Sequence, residues 1–263
     1  AAAVAPLALG GYAGFALAFV ALAVAAIIAM SGQWQSAQVE SSGFGVVLRD
    51  RVARKLLAVA LVNAAPVAVS STLFLFFVES RLDAPGWEGP FLLMFFLSAA
   101  LAAPVWGRFA EAAGAKRVLL MGMVLSIVSF AAAVTLGSGD LVAFAVICVA
   151  SGAALGADMT LLPALFAARM ERVSPGASEA FGLWSFVSKF TLALAAVSLL
   201  PLLEAGGFKA GQDNSSDALW LLSLLYGALP CLLKLIAIAL LARTRIEERR
   251  FDTGNLEQRS LSQ

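Results

Sequence analysis

The chain has 263 residues, 61% of them hydrophobic and only 13% charged, with a net charge of +1. Soluble domains usually carry about 25% charged residues, so an ordinary water-soluble core is excluded, and nothing in the near-neutral balance suggests nucleic acid. The chain contains no histidine, which excludes a histidine proton relay and a histidine metal centre.

In chain order, the apolar runs have the length that a bilayer demands. A hydrocarbon core of about 30 Å needs about twenty apolar residues of helix. Inside lipid every backbone polar group must be satisfied within the segment or a closed barrel. These runs are too long and too uniformly apolar to be barrel strands, so the expected fold is an all-α integral membrane bundle. Residues 1–9 read as the end of one span, turned at Gly10-Gly11, and 12–30 as a full span. A polar linker, 31–42, leads to an amphipathic piece, 44–55, bearing Arg49, Arg51, Arg54 and Lys55. Further spans are expected at 56–78, 89–106, 118–136, 141–168, 180–203 and 218–242, giving seven full spans. Cys148 and Cys231 fall inside these runs and read as buried free thiols.

The basic residues set the orientation. Arg49, Arg51, Arg54, Lys55, Arg108, Lys116, Arg117, Arg169, Arg172, Arg243, Arg245, Arg249, Arg250 and Arg259 share one side; Arg81 and Lys209 lie on the other. Loops rich in Lys and Arg stay in the cytoplasm, so the linker and the C-terminal tail are expected there, with the chain in a cell inner (plasma) membrane. The division that follows is 1–30, a linker at 31–55, six spans over 56–242, and a tail at 243–263. Two three-helix units of opposite topology, 56–136 and 141–242, suit the inverted repeats of secondary transporters. The chain opens Ala1-Ala2-Ala3 with no initiator methionine and no basic leader, as expected of a polypeptide whose earlier helices are missing.

Segment 104–117 carries Gly107, Arg108, Glu111, Gly114, Lys116 and Arg117. It resembles the G-x-x-x-D-R-x-G-x-K/R loop of the major facilitator superfamily, with Glu111 in the acid's place and Ala112 where a basic residue belongs. Within that superfamily, Gly152 to Ala164, Leu183 to Lys189 and Leu229 to Leu235 resemble the tenth, eleventh and twelfth helices of the glycoside–pentoside–hexuronide:cation symporters, the group of melibiose permease. The resemblance runs from Pro6 to about Arg245, the end of helix five through helix twelve. Arg169-Met170-Glu171-Arg172 departs from an Asp-rich loop of that group. The resemblance implies a secondary transporter, not an enzyme, moving a sugar or glycoside with H⁺ or Na⁺ by alternating access and needing no other cofactor. Its partners would be the solute, the bilayer and the missing N-terminal helices of the same polypeptide, which in melibiose permease carry the cation-binding carboxylates.

Charges within spans usually face a cavity or a partner, at a cost of roughly 2.5–3.5 kcal/mol each. Asp158 and Lys189 lie about 14–15 Å from their shared hairpin by helical rise, so they are expected at one depth, facing a central cavity or paired with each other. Ser185 lies one turn before Lys189, and Thr160 and Ser151 flank Asp158. Asn63 and Ser70 share a face around Pro66; Trp184 is a platform for a sugar ring or a packing residue. Gly152 and Gly156 have the small-x-x-x-small spacing of close helix packing. Lys234, nine residues before Arg243, is expected to snorkel toward the interface. Gly107 and Gly114 are expected to allow a tight turn, with Glu111 accepting from backbone N–H groups and Lys116 and Arg117 held at the anionic leaflet, so that this loop acts as a gate. Competing readings are a lipid or lysolipid transporter, favoured by spans poor in Asn and Gln, and a membrane assembly or sensor subunit. A seven-helix photoreceptor is disfavoured, because Pro230 stands where an acid should precede Lys234.

Overall fold

A computed structural model describes residues 5–31, 43–173 and 178–244. The chain divides into two units, Ala1–Glu40 and Ser41–Gln263. The first contains α1 (Ala5–Met30), one continuous helix of 26 residues. The turn expected at Gly10-Gly11 is therefore absent. A glycine pair without proline can stay helical, and helix is how an apolar segment satisfies its own backbone.

The second unit holds α2 (Gly43–Arg49), α3 (Arg51–Arg81), α4 (Glu88–Ala113), α5 (Ala115–Val134), α6 (Leu141–Val173), α7 (Ser178–Ala205) and α8 (Ser216–Ala242). The last six are long and apolar enough to cross a membrane. The first span begins earlier than expected, at Arg51 rather than 56, because Asp50 ends α2 and caps α3 by accepting from the Ala53 N–H at 2.7 Å. Expected linker residues 32–42 and tail residues 245–263 lie outside the described residues.

Two of the helices are wound locally to π type, at Phe77–Arg81 and Leu224–Ala228, where Leu82 and Leu229 N–H groups reach back to Phe77 and Leu224 carbonyls. Helix α3 packs on α7 and α8, whereas α6 packs on α4 and α5, and α5 meets α8. Exchanging α3–α5 for α6–α8 maps this set of contacts onto itself. The first helix of each three-helix unit is thus held by the second and third helices of the other.

Two apolar cores result. One joins Phe77, Phe91, Phe144 and Tyr226, with Phe77 stacked on Tyr226 at 4.2 Å and Phe91 edge-on to Phe144 at 4.9 Å. The other joins Leu56, Leu119, Phe166 and Leu241. Between them, on α3, α5, α6 and α8, lie the buried polar residues Asn63, Ser126, Ser151, Asp158 and Lys234.

Among the described residues, basic side chains tie helix ends together at both poles. At one pole Lys116 at the start of α5 donates to the Ala242 and Thr244 carbonyls at the end of α8, at 3.0 and 2.8 Å. At the same pole Arg169, near the end of α6, grips Asp50 at the start of α3 through two hydrogen bonds of 3.0 and 2.5 Å. At the other pole Arg81 donates to the Leu136 carbonyl at 2.8 Å. Lys116 and Arg81 each place a cation on carbonyls at a helix C-terminus, where the helix dipole favours it.

Hydrogen bonds from Arg169 hold the Asp50 carboxyl below its ordinary value of 3.8, against an opposing push from burial and with help from the Ala53 N–H. A depressed native pKa stabilises the fold above the unfolded value and is lost as pH falls through the native one. Asp50→Asn, which still caps α3, is expected to lose about 1.5–3 kcal/mol at neutral pH. Its difference from wild type should shrink as acidification passes below about pH 4. Asp50→Ala should lose about 1 kcal/mol more by removing the cap. Thermal unfolding of the solubilised protein across pH checks both; a pH-independent difference would show that the ion pair contributes nothing.

Candidate functional site

The charged cluster of the middle layer is built by three helices, α3, α6 and α8. On α8 the buried stripe is Pro230, Lys234, Ala237 and Leu241, one or two turns apart. On α3, Asn63 follows Leu56, Val59 and Ala60 on the buried side; on α6, Asp158 follows Ser151 and Leu155. Lys234 is 1% exposed, and Asp158 and Asn63 are each 5% exposed.

The Lys234 ammonium donates to Asn63 Oδ1 at 2.7 Å and to Asp158 Oδ2 in a short ion pair. Charges so deep in an apolar bundle are tolerable because each has an opposite partner, and Lys234 has the Asn63 oxygen besides. Asp158 Oδ1, by contrast, is buried and accepts no hydrogen bond. Asp158 borders a cavity of about 10 Å³ that is also lined by Pro66, Ser70, Phe95, Ser126 and Ser151, roughly enough for one water.

Two of the cavity's three serines are oriented by their own helices. Ser70 donates to the Val67 carbonyl at 3.1 Å and Ser151 to the Ile147 carbonyl at 2.6 Å. Their protons are committed to the backbone, so what remains for the cavity is lone pairs. Chemically the arrangement is a charge pair with one carboxylate oxygen unpaired, beside a water-sized space lined by three serines.

Two expectations are corrected here, the pairing of Asp158 and the snorkelling of Lys234; the places of Lys189, Ser185, Trp184 and Thr160 follow. Asp158 pairs with Lys234, not Lys189. Lys189 lies exposed on α7, as does Ser185 one turn earlier, because α7 packs mainly on α3 through its other side. Lys234 does not snorkel: its helix packs on α3 and α5, and the lysine turns inward to Asn63 and Asp158. Trp184 is half-buried against Phe166, ring centroids 5.1 Å apart, and Thr160 donates to its own helix at the Gly156 carbonyl, 2.7 Å away.

The expected gate loop is mostly helix. Gly107 lies inside α4 with open space where a Cβ would go, and Gly114 alone separates α4 from α5, with φ of 91°. Glu111 therefore stands exposed in the last turn of α4 rather than at a helix start. Arg117 is exposed, whereas Lys116 is turned onto the end of α8.

The Gly152/Gly156 expectation matches the geometry: a Cβ on Gly152 would meet the Phe95 carbonyl oxygen at 2.2 Å. Across the same contact Ser98 donates to the Val149 carbonyl at 2.6 Å and Trp106 to the Ala153 carbonyl at 2.7 Å. Sequence reasoning did not single out Ser126, nor Asp50 with Arg169. Asp50 was legible as a cap before an apolar run; nothing in the sequence marks Ser126.

A comparison with curated proteins returned no match. Residues 3–248 match the family described as MFS/sugar transport protein. With a six-span bundle and a charge pair sealed in its middle, the chain belongs to that family, the melibiose-permease-like group of the major facilitator superfamily, and is a multi-pass membrane protein of the secondary-transporter class.

Proposed function

We propose that the chain is part of a cation-coupled symporter that moves a sugar or glycoside across a cell inner membrane by alternating access, with its basic pole in the cytoplasm. The observation that carries this reading is the Lys234–Asp158–Asn63 cluster with its open carboxylate oxygen. Intramembrane charges are expensive and mark ion and substrate pathways. A cluster that links α3, α6 and α8 gives an ion a means of changing how these helices are held. In this reading Lys189 and Ser185, exposed one turn apart on α7, meet the solute's hydroxyls, and the rest of the polypeptide supplies the other wall of the pathway. The coupling ion is H⁺ or Na⁺, and no enzymatic step is assigned.

The test uses the polypeptide as its host makes it, reconstituted in vesicles with labelled pentosides, hexosides and hexuronides. A proton or Na⁺ gradient is expected to drive at least one of them several-fold above equilibrium, and Lys189→Ala to slow that uptake. Equilibration without accumulation would refute coupling. Uptake of lysophosphatidylcholine in place of any sugar would establish the lipid-transport reading instead, and no movement of either would favour an assembly or sensor role.

A further inference from the structure

We propose that Asp158 is a proton-binding site in the C-terminal six-helix half, loaded at Oδ1 through the one-water cavity, and that protonation releases α8 from α6 while α8 stays tied to α3. The proposal rests on the transport reading and names its ion and its carrier.

Three observations converge on it. Asp158 Oδ1 is buried without a donor, although a buried carboxylate oxygen normally finds one. The cavity beside it offers acceptors: Ser70 and Ser151 spend their hydroxyl protons on backbone carbonyls, and the Ser126 hydroxyl lines it as well. An O–H on Oδ1 would become the missing donor, and a water in the cavity would carry the proton to it. The step balances simply: a hydronium in the cavity gives its proton to Oδ1, an O–H bond forms, water is left, and nothing is oxidised or reduced.

The surroundings favour a proton over a metal cation. A hard cation needs about six oxygen ligands, and the side chains lining the cavity supply only the Asp158 carboxylate and the Ser70, Ser126 and Ser151 hydroxyls. The groups turned toward Asp158 are Lys234 from α8, Ser70 from α3, Ser126 from α5 and Phe95 from α4. The charge that faces it is therefore Lys234.

The mechanical consequence follows from the two bonds of Lys234. Neutralising Asp158 removes its attraction for the ammonium, whereas the bond to Asn63 Oδ1 on α3 is untouched. Proton arrival thus changes which helices Lys234 holds together. That is a discrete change of contacts, as alternating access requires.

Infrared pH-difference spectra of the intact polypeptide in phosphatidylethanolamine–phosphatidylglycerol vesicles test the site without any solute. Acidification is expected to raise a protonated-carboxyl band that Asp158→Asn removes and Asp158→Glu shifts. If Asp158→Asn does not assemble, Asp158→Glu decides by itself, through a shifted or an unmoved band. An identical band in wild type and variants would overturn the proposal. So would a spectrum that answers to Na⁺ against choline at constant pH but not to pH. A band lost in Asp158→Asn together with no uptake of any sugar would leave the proton site standing and remove the transport reading.

Discussion

Lys234→Met is expected to destabilise the protein by about 3–5 kcal/mol, and Asp158→Leu by a similar amount, while the double variant returns to near or above wild-type stability. Each single change leaves an uncompensated charge where there is room for about one water and no bulk solvent. Lys234 without Asp158 keeps only the Asn63 carbonyl oxygen, and Asp158 without Lys234 keeps no donor that the structure provides. The double change removes both charges and their desolvation penalties together. The two substitutions should therefore be far from additive, as for any pair in direct contact. Unfolding of the detergent-solubilised protein by SDS or heat reads all four corners of the cycle. Single variants within about 0.5 kcal/mol of wild type would mean that water or lipid headgroups reach the pair, and both the site and its coupling role would fall. A stable double variant has a second use, since it should lack the carboxyl band and so separate holding the fold from binding the proton.

The spans were legible because the bilayer imposes length and composition regardless of context. Expected spans at 89–106 and 218–242 lie within or against α4 (Glu88–Ala113) and α8 (Ser216–Ala242). The ends were less legible. Helix α4 runs on through Arg108 and Glu111 because helix does not stop where apolarity stops; it stops at Gly114, whose backbone only glycine adopts easily. The site was half legible. Asp158 and Asn63 stood out as polar groups within apolar spans, but the partner of Asp158 did not. In a soluble helix the buried face is the apolar one. Here lipid and core are equally apolar, so no periodicity told Lys234, sealed among Pro230, Ala237 and Leu241, from Lys189, left exposed on α7. Which lysine faces inward was decided by contacts 76 residues apart in sequence.

Gly152→Leu is expected to be among the most damaging single substitutions outside the polar layer. A Cβ at Gly152 would stand 2.2 Å from the Phe95 carbonyl oxygen and 3.0 Å from its carbon. At Gly156 it would stand 2.6 Å from the Ala99 oxygen and 3.3 Å from the Ala103 nitrogen. These neighbours are backbone, so no side chain can rotate away and the two helices must separate. Separation would also break the Ser98–Val149 and Trp106–Ala153 hydrogen bonds that cross the same contact. Overpacking alone costs roughly 1–3 kcal/mol, and each of the two bonds adds about 1 kcal/mol. Even Gly152→Ala should lose stability, although alanine is the better helix former by about 1 kcal/mol. Gly107→Ala supplies the contrast. Nothing lies within 4 Å of its added Cβ and it sits in the same helix as Phe95 and Ala99, so it should be neutral or slightly stabilising. Thermal unfolding of the three variants in one detergent decides the matter. If Gly107→Ala proved as harmful as Gly152→Leu, Gly107 would be a turn after all and α4 would end before it; if Gly152→Leu were harmless, α4 and α6 would not meet through their glycines.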